Sequence, residues 1–294
     1  MQKFLIVTAD DFGLHEAVND AVEQASHAGV LTAASLMVGA PAADDAIRRA
    51  HNLPGLRVGL HVVLADGAAM LAHSLIPALT DHNGRMNNRM FVNGLRYFAV
   101  PKVRRQLEEE IRAQFAAFAR TGLRLDHVNV HKHFHLHPTL LEMLLRIGTE
   151  YGVSAVRVPD EPLWFAAAAG SWMAGVAAGV NGVLLAPWVA LMKYRLRSAR
   201  VFYNDRIFGV AASGSMDEAK LLTILGRLPA GVTEIYLHPA TLSGRVIAAS
   251  MDGYHHADEL AALLSPRVRA AIAAAGVGHG GYGDIPRARE RHAA

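Results

Sequence analysis

Short runs of uninterrupted apolar residues alternate along this chain with longer amphipathic ones. Lys3–Ala9 is apolar or β-favouring with no polar alternation, the mark of a strand buried on both faces. Leu14–Ala28 follows with helical spacing. Ala17, Val18, Ala21, Val22 and Ala25 fall on one face, and Gly29 ends the run. Strand-like Thr32–Val38, helical Ala42–Ala50 and strand-like Val58–Leu64 come next. Such a β-α-β-α-β series in about sixty residues predicts a parallel sheet with right-handed crossovers.

Ala65–Tyr97 has weak periodicity and turn pairs at Asp66-Gly67, Asn83-Gly84 and Asn93-Gly94. It reads as a long functional loop region at the sheet's rim. Pro101–Arg120 is the clearest helix, with Pro101 in its first turn and Leu107, Ile111, Phe115 and Phe118 as its stripe. Strands are expected at Leu125–Val130, Ser154–Val158, Arg206–Ala211 and Thr233–Leu237. Helices are expected from Pro138 to Tyr151, over Asp217–Leu228 and from Ala257 through Ala275, before a Gly-rich end at Gly276–Asp284. The alternation predicts an α/β fold, a distorted TIM-barrel-like (β/α) barrel spanning residues 1–294 as one domain. An open doubly wound sheet is the alternative.

Pro162–Met192 breaks that rhythm. It contains no charged residue, holds Trp164, Trp172 and Trp188, and runs into Lys193, Arg195, Arg197 and Arg200. The length suffices to cross a bilayer. Gly170, Gly175, Gly179 and Asn181-Gly182 interrupt it, however, and a crossing between two barrel strands would break the barrel. The expectation is therefore an apolar helical insertion at 162–200, two helices joined near Asn181-Gly182 and lying on the protein. Its tryptophans and basic end suit peripheral contact with an anionic membrane surface. A plain hydrophobic cap or a subunit interface is the competing reading.

Composition narrows the function classes. A chain of 294 residues with 52% hydrophobic residues can bury a sizeable core. The net charge of +3 is too small to argue for a nucleic-acid partner. The lack of cysteine excludes disulfides and thiolate metal sites. The first residues lead straight into a strand, so a cleaved leader is not expected. The expected location is cytoplasmic, with peripheral association at the inner membrane face if 162–200 meets lipid.

Candidate chemistry sits just beyond four separate strands: Asp10 and Asp11, His61, the cluster that begins at His131, and His238. In a parallel barrel these ends open on one face, where active sites of this architecture lie. Adjacent buried carboxylates repel, so a nearby cation is the economical explanation for Asp10 and Asp11. The bland alternative makes Asp10 the cap of the following helix. In His127-Val-Asn-Val-His131-Lys-His133-Phe-His135-Leu-His137, odd-numbered residues share a face if the segment is extended. His131 is the favoured ligand there; His127, His135 and His137 read as hydrogen-bonded core residues, and His133 as a ligand neighbour. One carboxylate and two imidazoles make a sound open ligand set for a divalent ion. The second aspartate is then free to take a proton from an attacking water whose pKa the ion lowers, and His238 to protonate a leaving group.

Thr8-Ala-Asp-Asp-Phe-Gly13, Gly59-Leu-His61, the His-x-His-x-His run from His131 and Leu237-His-Pro239 together resemble the YdjC-like deacetylases, which include chito-oligosaccharide deacetylase. The details look closest to the branch associated with hopanoid biosynthesis. The resemblance implies a distorted (β/α) barrel that hydrolyses the N-acetyl group of an amino sugar, and in that branch an N-acetylglucosaminyl hopanoid lipid. It implies Asp10 as general base, Asp11, His61 and His131 as metal ligands, and His238 as acid. Members are described with magnesium or zinc; the two nitrogens favour Zn2+ here, with Mg2+ as the alternative. A chito-oligosaccharide or other carbohydrate without a lipid is the alternative substrate. Another metal-assisted hydrolase such as a phosphoesterase, and a non-catalytic lipid- or sugar-binding barrel, are the remaining alternatives.

Overall fold

A computed structural model of the chain describes residues 3–87, 89–168, 172–242 and 246–285. Strand β1 (Lys3–Phe12) is buried along all but its first residue and occupies the middle of a parallel sheet. Around it lie β2 (Ala33–Leu36), β3 (Arg57–Val62), β4 (Val128–Val130), β5 (Arg206–Phe208), β6 (Gly231–Leu237) and a two-residue β7 (Gly278–His279). The hydrogen-bonded order is β4-β3-β2-β1-β6-β5, with β7 beside the start of β1. Isolated parallel bridges join Val128 to Val156 and Ala155 to Phe202, just before β5. They bring the two edges of the curled sheet together into a distorted (β/α) barrel, as the alternation of elements predicts.

Helices α1 (Glu16–Ala28) and α2 (Ala43–His51) form the early crossovers, and α1 buries the small-residue stripe read from the sequence. His15, not Asp10, caps α1: its Nδ1 accepts from the Ala17 N–H. Helix α3 (Met90–Ala99) lies inside the region expected to be loop. The Asn93-Gly94 pair read as a turn is helical, held by burial of Asn93 and Tyr97. Helix α4 (Pro101–Arg120) buries Leu107, Ile111, Phe115 and Phe118 as expected, and α5 (Pro138–Glu150) follows with Pro138 in its first turn.

Helix α6 (Leu163–Ala168) and the long α7 (Trp172–Ser198) make up the insertion. The expected break near Asn181-Gly182 is absent: α7 runs through Gly175, Gly179 and Gly182, each of which costs a helix only about 1 kcal/mol. Gly170 lies outside the described residues. Among the described residues no helix is long and apolar enough to cross a membrane. Strands β4 and β5 on either side of the insertion belong to the same sheet.

Helix α8 (Glu218–Leu225) precedes β6, and the helix expected from Ala257 to Ala275 is two, α9 (His256–Leu264) and α10 (Pro266–Ala274). Pro266 ends the first and opens the second, and the Ser265 hydroxyl accepts from the Arg267 and Val268 N–H groups. Ser154–Val158, expected as a strand, is reduced to single bridges. The Asn204 amide bonds both the N–H and the C=O of Val158 at 2.7 Å, replacing the neighbour a ladder would supply.

Candidate active site and metal centre

In a regular strand, successive side chains point to opposite faces, so Asp10 and Asp11 should diverge. They do not, because the pairing of β1 with β2 shifts register between Ala9 and Phe12 and Asp11 adopts a left-handed φ of 62°. A non-glycine residue in that conformation costs of order 1–3 kcal/mol and persists only where its surroundings enforce it. The kink turns both carboxylates toward the mouth of the barrel, and both are buried.

Asp11 meets His61 from β3 and His131 from the end of β4. Its Oδ1 lies 3.3 Å from His61 Nε2 and 3.4 Å from His131 Nδ1, and the two ring nitrogens are 3.2 Å apart. Among the described residues neither Asp11 oxygen has a hydrogen-bond partner, although both are buried. Left bare, such a carboxylate carries a penalty of several kcal/mol. A cation removes it, and the three-atom triangle fits one: bonds of about 2.0–2.1 Å in tetrahedral array put ligand atoms about 3.3 Å apart. Among the described residues this is the one cluster of carboxylate and imidazole groups with metal-ligand spacing. Neighbouring histidines hold the Asp11 pKa well below the usual carboxylate range despite its burial.

Asp10 has the opposite surroundings. Arg157, fully buried, clamps it through Nη1 at 2.5 Å and Nη2 at 2.9 Å, and Asn129 Nδ2 donates to its Oδ1 at 3.1 Å. Burial alone would raise the Asp10 pKa, but the guanidinium outweighs it and holds the group ionised. Arg157 also pairs with Glu234 of β6, through Nε at 3.0 Å and Nη2 at 2.8 Å. Glu234 in turn accepts from the Thr8 and Tyr282 hydroxyls at 2.7 and 2.6 Å.

His238, at the end of β6, points Nε2 at Asp11 Oδ2 from 3.8 Å, while its Nδ1 is buried without a partner. Helix α9 grips its backbone from both sides: the Glu259 carboxylate accepts the His238 N–H, and His256 Nδ1 donates to the His238 carbonyl at 2.6 Å. Burial pushes the His238 ring pKa down, against the pull of Asp11 and Asp10. These groups line a cavity of about 150 Å³ together with Lys132, Ser213, Ser250 and Tyr254.

The five residues singled out in the sequence thus converge. The rest of the histidine run does not follow the expected extended pattern, because Lys132 and His133 take left-handed angles and the chain from His131 to Leu136 coils into 3-10 turns. His133 Nε2 bonds the Tyr236 hydroxyl at 3.1 Å, and His135 Nε2 donates to the Arg157 carbonyl at 2.8 Å. His127 and His135 are buried and hydrogen-bonded, whereas His137 is only half-buried.

A sequence profile described as YdjC-like protein matches residues 4–274. The chain belongs to the YdjC-like family. A carbohydrate deacetylase from Brevibacillus brevis is 40% identical over 157 residues, 53% of this chain and 59% of that protein. With the carbohydrate deacetylase of Geobacillus stearothermophilus the identity is 29% over 278 residues, 94% of this chain and 96% of the relative. The crystal structure of an Enterococcus faecalis V583 protein, described as a candidate cellobiose-phosphate cleavage protein, shares the fold. Its TM-score is 0.75 at 23% identity, covering 97% of this chain and 99% of that one.

In this YdjC-like protein three residues at the site escape a reading by motif: Arg157, Glu234 and Asn129. Each carries a signal nonetheless. Val156-Arg157-Val158 and Thr233-Glu234-Ile235 put single opposite charges inside apolar strands, which are tolerated only if they find one another. His127, Asn129 and His131 alternate with Val128 and Val130, a polar face that must look into the barrel.

Proposed function

We propose that this protein is a metal-dependent hydrolase that removes the N-acetyl group from an amino sugar. The observation that carries the reading is the bare Asp11 carboxylate facing two imidazoles, beside a second carboxylate held ionised and a third imidazole. The names of the full-length and partial relatives, carbohydrate deacetylases, agree with that chemistry. Asp11, His61 and His131 are the residues that would hold the ion, and their two imidazole nitrogens favour zinc. Magnesium prefers oxygen ligands and is the alternative. When bound, the ion supplies Lewis acidity, polarising the acetyl carbonyl and easing deprotonation of water.

The remaining work belongs to the chain. Asp10 orients the attacking water and takes its proton as the oxygen adds to the acetyl carbon. Because Arg157 keeps Asp10 a weak base, the proton stays there only briefly. His238, neutral at rest through burial, accepts it and delivers it to the amine nitrogen as the C–N bond breaks. Acetate and a free amino sugar leave. The cavity is smaller than the 300–1,000 Å³ that engulfs a whole drug-sized ligand, so it takes the acetamido end and leaves the rest of the substrate outside.

The finer reading is that this outer part is a lipid, an N-acetylglucosaminyl hopanoid. Its support is the apolar insertion, where Leu163 on α6 and Leu185, Trp188 and Tyr194 on α7 lie 42–62% exposed, followed along the chain by Arg195, Arg197 and Arg200. A free carbohydrate is the second reading, favoured by the carbohydrate deacetylases matched along nearly the whole chain. One assay tests all of this: acetate release from a small acetylated glucosamine and from a lipid-linked one, before and after metal removal. Release is expected from both and lost on chelation. Serine at Leu185, Trp188 and Tyr194 is expected to lower release from the lipid-linked substrate alone. An equal loss on both substrates in that variant, or no loss on either, sinks the lipid reading; no metal-dependent release from either sinks the function.

A further inference from the structure

A chain of buried polar side chains runs up the inside of the barrel, and its carboxylate and amide ends set its direction. At the lower end the Asp126 carboxylate accepts from the backbone N–H groups of Tyr282 and Gly283 at 3.1 and 2.8 Å, and from His127 Nδ1–H at 3.0 Å. A His127 ring whose one proton sits on Nδ1 offers Nε2 as an acceptor, and the Ser35 hydroxyl, 3.0 Å away, then donates to it. Ser35 Oγ, its hydrogen committed, accepts from Asn129 Nδ2 at 3.0 Å. The other Asn129 Nδ2 hydrogen goes to Asp10.

Both amide hydrogens are then spent, so the group facing His61 at 2.8 Å must be the Asn129 carbonyl oxygen. An oxygen there can only accept. His61 must carry a proton on Nδ1, so that the ring in its neutral form presents the Nε2 lone pair to Asp11 Oδ1 and His131 Nδ1. Gly59 makes room for the chain: a Cβ at that position would sit 2.5 Å from the His127 ring.

We propose that Asn129 is a positioning residue that locks His61 in its Nδ1–H tautomer and holds Asp10 at the same time, its own amide orientation being imposed from below by Ser35, His127 and Asp126. The proposal rests on the reading of Asp11, His61 and His131 as metal ligands. It goes further in assigning the orientation of the ligand atom to a group that touches neither metal nor substrate. Partners of this kind change metal affinity by about 10–100-fold when removed.

The test uses the full chain with histidine nitrogens labelled. Long-range proton–nitrogen spectra of the metal-free protein are recorded from about pH 8 upward until the His61 imidazolium signal is gone, because, against its burial, the Asp10 and Asp11 carboxylates raise the pKa of that ring. Zinc affinity is measured by competition with a chromophoric chelator. The wild type is expected to show His61 as a single Nδ1–H form. Asn129→Ala is expected to mix the tautomers and weaken zinc about 10–100-fold. Ser35→Ala, a smaller lesion that frees the amide to turn, is expected to move both readouts in the same direction and decides the matter if Asn129→Ala fails to fold. An unchanged His61 spectrum with unchanged zinc affinity in a folded variant overturns the proposal. A wild type that shows the single tautomer yet binds no zinc overturns the metal reading instead.

Discussion

Two neighbouring aspartates sit at the same strand end in opposite states. Asp10 has its oxygens engaged by Arg157 and Asn129, and belongs to a network in which Arg157, Glu234, Thr8 and Tyr282 are paired in turn. Asp11, one residue on, is equally buried and its oxygens have no hydrogen bond. Interiors of parallel barrels are commonly filled by layers of Val, Ile and Leu. Here polar groups fill the core beneath the site, and they are satisfied until the rim is reached. The contrast separates scaffold from workplace: satisfied groups have fixed positions, while the unsatisfied carboxylate marks where something else must bind.

The largest effects are expected where the two aspartates are told apart. Asp11→Ala removes the anionic ligand and should abolish both metal binding and acetate release. Asp10→Asn keeps the ligand triangle and should retain metal while release falls by about 10²–10⁴-fold, the usual reach of a general base. Metal content by elemental analysis beside an acetate assay reads both. If Asp10→Asn loses the metal and Asp11→Ala keeps it, the roles are reversed and the contrast has been misread.

Next comes the buried cation that keeps Asp10 anionic. Arg157→Met leaves Asp10 and Glu234 buried without a counter-charge, and removing one partner of such a cluster costs about 3–5 kcal/mol. The loss should appear at neutral pH in urea denaturation and shrink on acidification. With the guanidinium gone, burial is left to lift the folded-state pKa of Asp10 above its unfolded value. Its contribution is then greatest at low pH and is lost as pH climbs through the raised pKa. A variant as stable as the wild type at neutral pH would mean that the cluster is not what organises the barrel interior.

How much of this was legible in the sequence follows from the same contrast. Asp11, His61, His131 and His238 stand at strand ends, and a parallel sheet gathers strand ends on one face, so their convergence could be read from topology alone. The partners of Asp10 could not be read so directly. Arg157 meets Asp10 across 147 positions, and Glu234 reaches Thr8 across 226, because the barrel folds distant strands together. The kink at Asp11 is likewise invisible to periodicity, which would have sent the two carboxylates to opposite faces. The histidine run misled for a related reason. Alternation holds only through His131, where the left-handed Lys132 and His133 end the strand. Helix α3 was missed because Asn-Gly is a strong turn signal, overridden here by burial of Asn93 and Tyr97.

The smallest predicted effect concerns the far side of His238. Glu259 is wholly buried and accepts from the backbone N–H groups of Met216 and His238, yet burial outweighs those bonds and pushes its pKa up to about 7. Its unfolded value is near 4.5, so the folded chain binds the proton more tightly than the unfolded chain. The sign follows: this group's contribution to stability is complete below about pH 4.5 and is lost as pH rises through 7, by roughly 3 kcal/mol in all. Glu259→Gln cannot ionise and should lack that slope. Subtracting the unfolding free energy of the variant from that of the wild type cancels the other titrating groups. The difference should fall steadily between pH 5 and pH 8. A flat difference would show that Glu259 is ionised throughout, its two backbone bonds having overcome burial. The His238 backbone would then be gripped by a full negative charge at every working pH.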